Sequence, residues 1–398
     1  MPTDQKVTGL SPVGVTLKIN LLQQCKRFFR VVSENSGPKK RCSTQFAKRA
    51  NMNKKTILIL LLATAAWSEP RAEMCTRVVY TGPEETTLTG RTMDWKEDPQ
   101  SKLWVFPRGM RRDGAAGANS LEWTSKYGSV VTSAYDICTT DGMNEKGLAA
   151  NLLWLAESEY PANDGRKPAL SVSAWTQYVL DNFATVDEAV AAFSGGEFDV
   201  VSDMMPDGTR MAALHLSVSD ATGDSAIFEY IDGKLAIHHD RAYKVMTNSP
   251  AFEKQLALDD YWNSIGGLVF LPGTNRAADR FVRASFYIDA VPKTAEQRLA
   301  VASVFSVIRN VSVPLGISTP DEPNISSTRW RTVADQKNRV YYYESVLYPF
   351  LIWVDFDELD FTAGAPVGMI DPASGKRYAG NTSAEFSPAE PFVFQAAK

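Results

Sequence analysis

Met74-Cys75-Thr76-Arg77-Val78-Val79-Tyr80, then Thr81-Gly82-Pro83-Glu84-Glu85, then Gly90-Arg91-Thr92-Met93-Asp94-Trp95 read together as one β-hairpin over residues 75–94. A short apolar stretch, residues 56–67, lies just upstream. Removal of a leader ending at Met74 would make Cys75 the first residue of a mature chain. A residue with both a thiol and a free α-amine holds nucleophile and general base in one place, without a separate histidine. Centring the turn on Pro83 sets Cys75 directly across the ladder from Arg91, with side chains about 5 Å apart. A guanidinium there favours thiolate over thiol. Asp94 then extends past the partner strand, where it can hold the α-ammonium. An ordinary surface ion pair is the alternative reading of Arg91.

The upstream sequence supports processing. Met52-Asn53-Lys54-Lys55 followed by Thr56-Ile57-Leu58-Ile59-Leu60-Leu61-Leu62-Ala63 has the positive start and apolar centre of a secretory signal, and is too short to span a bilayer comfortably. Ala66-Trp67-Ser68 offers small residues at the positions a signal peptidase reads, leaving residues 69–74 as a short pro-segment. Residues 52–74 are therefore expected to be signal peptide plus pro-segment, and the protein to be exported, periplasmic or secreted. Residues 1–55 carry twelve Lys or Arg against Asp4 and Glu34. Residues 1–51 read as a start-site artefact or a disordered extension; a basic arm for nucleic acid is the alternative.

The first 74 residues hold 13 of the 42 basic and 4 of the 46 acidic side chains, so the remaining 324 carry 29 against 42, a net charge of −13. That acidity argues against nucleic acid and anionic membranes as partners. Residues 75–398 are long enough for one large core and are expected to form a single catalytic domain. Of the four cysteines, only Cys75 and Cys138 lie in that part. Two cysteines are far from a disulfide framework, and Cys138 in Tyr135-Asp136-Ile137-Cys138 reads as a small buried apolar residue with a free thiol. No CxxC or His-rich spacing marks a metal site.

Downstream, strand and helix patterns come in blocks. Residues 103–107 read as a strand, residues 171–183 as a helix, and Thr185-Val186-Asp187-Glu188 as the capping box of a second helix. Residues 214–219, 225–231 and 235–239 alternate like antiparallel strands with polar turns between them. Residues 295–309 read as a helix, and 340–343 and 345–350 as strands. Strands in runs and helices in runs predict an α+β fold with antiparallel sheets.

Five segments in order carry a resemblance: Met74-Cys75-Thr76, Gly90-Arg91-Thr92-Met93-Asp94-Trp95, Asp141-Gly142-Met143-Asn144-Glu145-Lys146-Gly147-Leu148, Met246-Thr247-Asn248-Ser249-Pro250 and Arg280-Phe281-Val282-Arg283. Together they resemble the choloylglycine hydrolase family, the N-terminal-nucleophile hydrolases that include bile salt hydrolases and penicillin V acylases. The resemblance implies a four-layer αββα sandwich with two antiparallel sheets. It also implies Cys75 as nucleophile and base, Arg91 beside the sulfur, Asp94 orienting the amine, Asn248 donating to the oxyanion, and Arg280 as a second arginine of the network. Where bile salt hydrolases carry asparagine and Gram-positive penicillin V acylases tyrosine, this chain has Trp154, which looks like the family's Gram-negative branch. An oxyanion contact from that position would then come from backbone N–H. Asn151 reads as a compensating polar group or a capped strand end.

The implied reaction is hydrolysis of a linear amide through a thioester, with no cofactor and no metal. The substrate joins an apolar acyl group to a small polar amine. Glycine- or taurine-conjugated bile salts lead, with penicillin V and acyl homoserine lactones as alternatives. The family also implies a homo-oligomer, a tetramer. A reading from another class makes Cys75 the lipid-bearing residue of a periplasmic binding lipoprotein; Ala72-Glu73-Met74 opposes it, because no small residue precedes the cysteine.

Overall fold

Alternation along the first hairpin organises the molecule. In β1 (Met74–Thr81) and β2 (Thr87–Trp95), odd-numbered side chains point to one neighbour and even-numbered ones to another. On the odd side Arg77 donates to Ser225 Oγ at 3.0 Å, Thr89 bonds Ser219 Oγ at 2.7 Å, and Arg91 donates to the Thr140 carbonyl at 2.8 Å. All three partners belong to a second sheet or its edge. On the even side lie helices: Tyr80 Oη donates to the Pro292 carbonyl at 2.9 Å, and Gly90 packs under Val304 and Ile308.

The computed structural model describes residues 74–266, 269–318, 326–348 and 350–397, within one compact unit, Pro70–Lys398. The basic extension 1–51 and the leader up to residue 73 lie outside the described residues. The first sheet has seven strands in the order Val245–Met246, β1, β2, Ser327–Asp335, Val340–Ser345, Leu351–Asp355 and Gly380–Asn381. Its neighbours are antiparallel except for the last pair. The second sheet has nine antiparallel strands: Lys234–His239, Ser225–Ile231, Leu214–Ser219, Ala149–Trp154, Cys138–Asn144, Ser129–Ala134, Leu103–Phe106, Gly368–Ile370 and Ser387–Pro388.

Helices cover the two outer faces. Helices α1 (Val172–Asn182) and α2 (Val186–Gly195) sit on the second sheet; α3 (Phe252–Ile265), α4 (Ala277–Ala290) and α5 (Gln297–Asn310) sit on the side of the first. The layers run helix, sheet, sheet, helix. One apolar core joins the sheets and the α4–α5 layer, and another lies between the second sheet and α1–α2. Thr185 caps α2, its Oγ1 accepting from Glu188 N at 3.2 Å, while the Glu188 carboxylate reaches back one residue further than a capping box requires, to Ala184 N at 2.7 Å.

Three local expectations change. The hairpin register is Cys75 opposite Met93, Arg77 opposite Arg91 and Met74 opposite Asp94, so Arg91 is not across from Cys75. Glu84 and Glu85 adopt left-handed φ of 52° and 57°, and Gly82 N bonds the Thr86 carbonyl at 2.8 Å. The turn thus centres on Glu84 and the ladder slides by two residues. A two-residue slide preserves faces, so Arg91 still shares the face of Cys75 and reaches it diagonally. Second, residues 346–348 and 350 are not strand: the ladder ends at Ser345 and resumes at Leu351. Third, α3 and α4 are further helices between the predicted elements; α4 carries an apolar stripe of Ala277, Phe281, Ala284 and Ile288, whereas α3 does not. Among its described residues α3 buries only Phe252 and Gln255.

Gly90 supplies a test of the packing. A Cβ there would lie 2.5 Å from Val304 Cγ1 and 3.0 Å from Ile308 Cγ2. Gly90→Ala should therefore destabilise the fold by roughly 1–3 kcal/mol through overpacking of β2 against α5, read as a lower denaturant midpoint. An unchanged midpoint would mean that the helix is free to move away.

Candidate active site

Cys75 is the second residue of β1 and is 2 % exposed. Its thiol lies 3.9 Å from Met93 Sδ and 3.9 Å from the Asp94 carbonyl, and Arg91 Nη2 approaches the sulfur to 4.0 Å. The same Nη2 donates to the Leu152 carbonyl at 2.7 Å, and Nη1 lies 3.5 Å from Asp141 Oδ2. Arg91 is fixed on three sides. Burial raises the Cys75 thiol above its ordinary pKa; Arg91 pulls it down, Asp94 adds to the rise, and the net direction is up. Arg91 thus acts in the direction the sequence predicts, toward thiolate, while desolvation of the buried sulfur outweighs it.

The backbone of Cys75 is clamped. Its N–H donates to Asn248 Oδ1, and its carbonyl accepts from Arg280 Nη1 at 2.6 Å. Arg280 Nη2 also donates to Asn248 Oδ1 at 2.9 Å, closing a three-way contact. With two donors on Oδ1, the carboxamide has one orientation: Nδ2 points to the Trp154 carbonyl, which it reaches at 2.7 Å. Asn248 follows the short strand Val245–Met246 beside β1, and Arg280 projects from the first turn of α4. Asp94 faces the helices. It accepts from Thr328 Oγ1 at 2.6 Å and Thr92 Oγ1 at 3.0 Å, and pairs with Arg280 at 3.6 Å. The Cys75 nitrogen, here a peptide nitrogen, is thus given to Asn248 rather than to Asp94.

The five expected residues Cys75, Arg91, Asp94, Asn248 and Arg280 converge, each at most 2 % exposed. Asn151 and Trp154 separate. Asn151 Nδ2 donates to Asp141 Oδ2 at 2.7 Å, which places its side chain in the shell around Arg91 and not on the cavity. Trp154 gives its carbonyl to Asn248 and its ring to the cavity wall, 5.9 Å from the Trp95 ring and 4.2 Å below the Arg210 guanidinium.

Cys75, Arg91 and Met93 line an apolar cavity with Trp95, Tyr135 and Trp154. Met204, Met205 and Leu214 add flexible apolar surface, and Cys138 is a second thiol on the wall. Both cysteines are free, and burial pushes Cys138 up to about 12. Tyr135 sits in a left-handed turn, φ 54°, that presents its hydroxyl to Trp95 Nε1 at 2.9 Å.

Supporting residues escaped the sequence reading. Asp141 links Arg91 to Tyr341 Oη across the sheets, and burial raises its carboxyl against the pull of Arg91. His215 Nδ1 meets Glu229 at 2.9 Å and its Nε2 meets the Thr247 carbonyl at 2.8 Å. Burial opposes ionisation of Glu229, but His215, His238 and the Phe252 N–H hold its carboxyl down to about 2. This pair anchors the residue before Asn248 and the start of α3. The Asp141 motif was legible; the long-range partners of His215 had no local signal.

Among the described residues, Asp187, Asp224 and His239 are the grouping with metal-ligand chemistry, and His239 is already satisfied by Asp224 at 2.8 Å. It shares no residue with the cavity.

The family model described as linear amide C–N hydrolases, choloylglycine hydrolase family, matches residues 75–368, beginning at the nucleophile candidate. The chain is 51 % identical over 365 residues to a penicillin V acylase of Pectobacterium atrosepticum, covering 86 % of this chain and 97 % of that protein. It is 29 % identical over 300 residues to a bile salt hydrolase/transferase of Clostridium perfringens, covering 68 % and 89 %. The solved structure of penicillin V acylase from Agrobacterium tumefaciens matches with a TM-score of 0.76 and 57 % identity, over 81 % of this chain and all of that one. The αββα layering, the converged site and these similarities agree: the chain belongs to the choloylglycine hydrolase family, as an amidohydrolase acting on linear amides with the N-terminal-nucleophile hydrolase fold.

Proposed function

We propose that this enzyme is a penicillin V acylase, releasing the phenoxyacetyl group with Cys75 as nucleophile. The observation that carries the reading is the Cys75 sulfur on a cavity walled by Trp95, Tyr135 and Trp154. Aromatic walls suit an aryl acyl group, which they meet edge-on or offset. Identity of 51 % to a penicillin V acylase against 29 % to a bile salt hydrolase/transferase reverses the order in which the sequence ranks these substrates. Acyl homoserine lactones stand as a third candidate, sharing the apolar acyl group. A lipidated Cys75 does not fit, since the residue is buried inside a sheet.

The roles follow from the contacts. Cys75 Sγ attacks the amide carbon while the free α-amine takes the thiol proton. Asn248 Nδ2, held in one orientation by Arg280 and the Cys75 nitrogen, donates to the oxyanion together with a backbone N–H. The amine leaves on protonation by the α-ammonium, and water hydrolyses the thioester. Arg91 stabilises sulfur as thiolate. Asp94 holds Arg280 and lies within the same network as the freed amine. Attack of the same sulfur on the Met74 carbonyl, breaking its bond to the Cys75 nitrogen, followed by hydrolysis, would release the pro-segment.

The leader at 52–74 supports export to the periplasm or beyond, with 75–398 as the mature domain, and no helix among the described residues is long and apolar enough to cross a membrane. Exposed Tyr261, Ile265 and Phe270 offer apolar surface for a homo-oligomer such as a tetramer.

Intact mass should begin at Cys75 in the wild type. Cys75→Ala should keep the upstream residues 69–74 and lose at least about a thousandfold of penicillin V hydrolysis. A wild type that processes but prefers glycocholate would overturn the substrate, and one that retains Met74 and is active would overturn the mechanism. The sign of the Arg91 effect gives a pH test. Arg91 opposes the upward push of burial on the Cys75 thiol, so Arg91→Gln should move the midpoint of iodoacetamide alkylation to higher pH and slow it at pH 7, followed by mass on the Cys75 peptide. A midpoint that stays or falls would remove Arg91 from this role.

A further inference from the structure

We propose that Gln395, carried on the segment 392–397, is a specificity-determining clasp of the acyl pocket: a positioning residue that seats the loop 202–212 against the acyl group. The proposal rests on the reading of this cavity as the acyl site. The segment lies beyond residue 368, where the family match ends.

The segment lies on the surface with its burial repeating every three residues. Val393 is 81 % exposed, whereas Phe394 and Ala397 are buried. Phe392 meets Trp104 edge-on at 5.4 Å and Phe394 at 5.4 Å, and the Arg112 guanidinium lies 5.7 Å over Phe394. These rings anchor the segment in the core between the second sheet and its helices.

The backbone of Gln395 is then pinned from several directions. Its N–H donates to the Ile137 carbonyl at 2.9 Å. Its carbonyl accepts from Ser171 Oγ at 3.0 Å and Ser173 Oγ at 2.8 Å, at the N-terminus of α1. Two residues on, Ala397 N donates to the Ala115 carbonyl at 2.7 Å. The side chain therefore leaves from a fixed point, and its Nε2 donates to the Met204 carbonyl.

Met204 belongs to a loop closed on itself: Met205 N donates to the Arg210 carbonyl at 2.7 Å, and Ala212 N to the Asp203 carbonyl at 2.8 Å. The loop supplies Met204, Met205 and Pro206 to the cavity, and Gln395, Ser171 and Ser173 line it as well. Gln395 thus ties one part of the cavity lining to another. Methionine side chains adapt to many shapes, so the position of the loop backbone decides which acyl group fills the space. None of the Gln395 contacts involves Arg91, Asn248 or Arg280, which places its effect on acyl binding rather than on bond breaking.

The test uses the full chain and two substrates, the N-phenoxyacetyl and N-acetyl amides of one common amine. Gln395→Ala should raise KM for the phenoxyacetyl amide about fivefold, the worth of one hydrogen bond, with kcat within about twofold. The ratio of kcat/KM between the two amides should fall by the same factor. Gln395→Asn, one methylene too short to reach Met204, should behave alike, and Val393→Ala on the exposed side should change neither amide. Equal losses on both amides, a fall in kcat at constant KM, or wild-type behaviour in both Gln395 variants would overturn the clasp alone. A wild type inert on both amides would overturn the acyl-site reading and the clasp with it.

Discussion

Arg280 closes a triangle with Cys75 and Asn248, and the site is built around that closure. One guanidinium, fully buried, donates to the Cys75 carbonyl and to Asn248 Oδ1, while the Cys75 N–H supplies the third side. A buried cation is costly unless paired and hydrogen-bonded, and Asp94 with its two threonine donors supplies the pairing. The next layer outward holds those groups still. Gln255 bonds the Asn248 carbonyl, and His215 with Glu229 holds Thr247. The consequence is that Cys75 is positioned through its main chain, leaving its side chain free to face the cavity.

The alternation of β1 makes this possible. Odd positions send the Cys75 thiol, Arg77 and Arg91 toward the second sheet, and even positions send Thr76 and Asp94 toward α4. Arg280 and Arg91 accordingly act on the same residue from opposite sides of one sheet. With the peptide bond to Met74 intact, burial dominates and the thiol is hard to ionise. Cleavage would replace a neutral amide nitrogen by an ammonium next to the sulfur, a charge of the sign that favours thiolate. In the proposed mechanism, processing and activation are therefore one event.

The hairpin, the α+β class and the five converging residues were legible because each rests on local pattern or on motif order. Alternation marks Met74–Thr81 and Thr87–Trp95 without any tertiary information, and Thr185 with Glu188 announces a helix start. The register was not legible. It depends on Glu84 and Glu85 adopting left-handed backbone, residues with no intrinsic preference for it, and placing Pro83 at the centre shifts every pair by two. Asn151 shows the other limit. Its type fits a pocket, but its strand position turns it toward Asp141, a contact ten residues away that no spacing rule encodes. Helix α3 was missed because its pattern carries almost no buried stripe.

The site divides into a part that is rigid and a part that adapts. Around Cys75, the polar groups of Arg91, Asp94, Asn248 and Arg280 are buried and each held by at least two partners, so small displacements are expensive. Across the cavity the lining is methionine, leucine and aromatic surface, bonded to the rest of the chain through a few backbone contacts. Trp154 joins the two parts: its carbonyl takes the Asn248 amide that faces the chemistry, and its ring lies in the wall beside Trp95 and beneath Arg210. A substitution there would change the wall through the ring while leaving the carbonyl that Asn248 uses in place. The loop 202–212 belongs to the second part: it lines the cavity and touches none of Cys75, Asn248 and Arg280 through the hydrogen bonds that hold it.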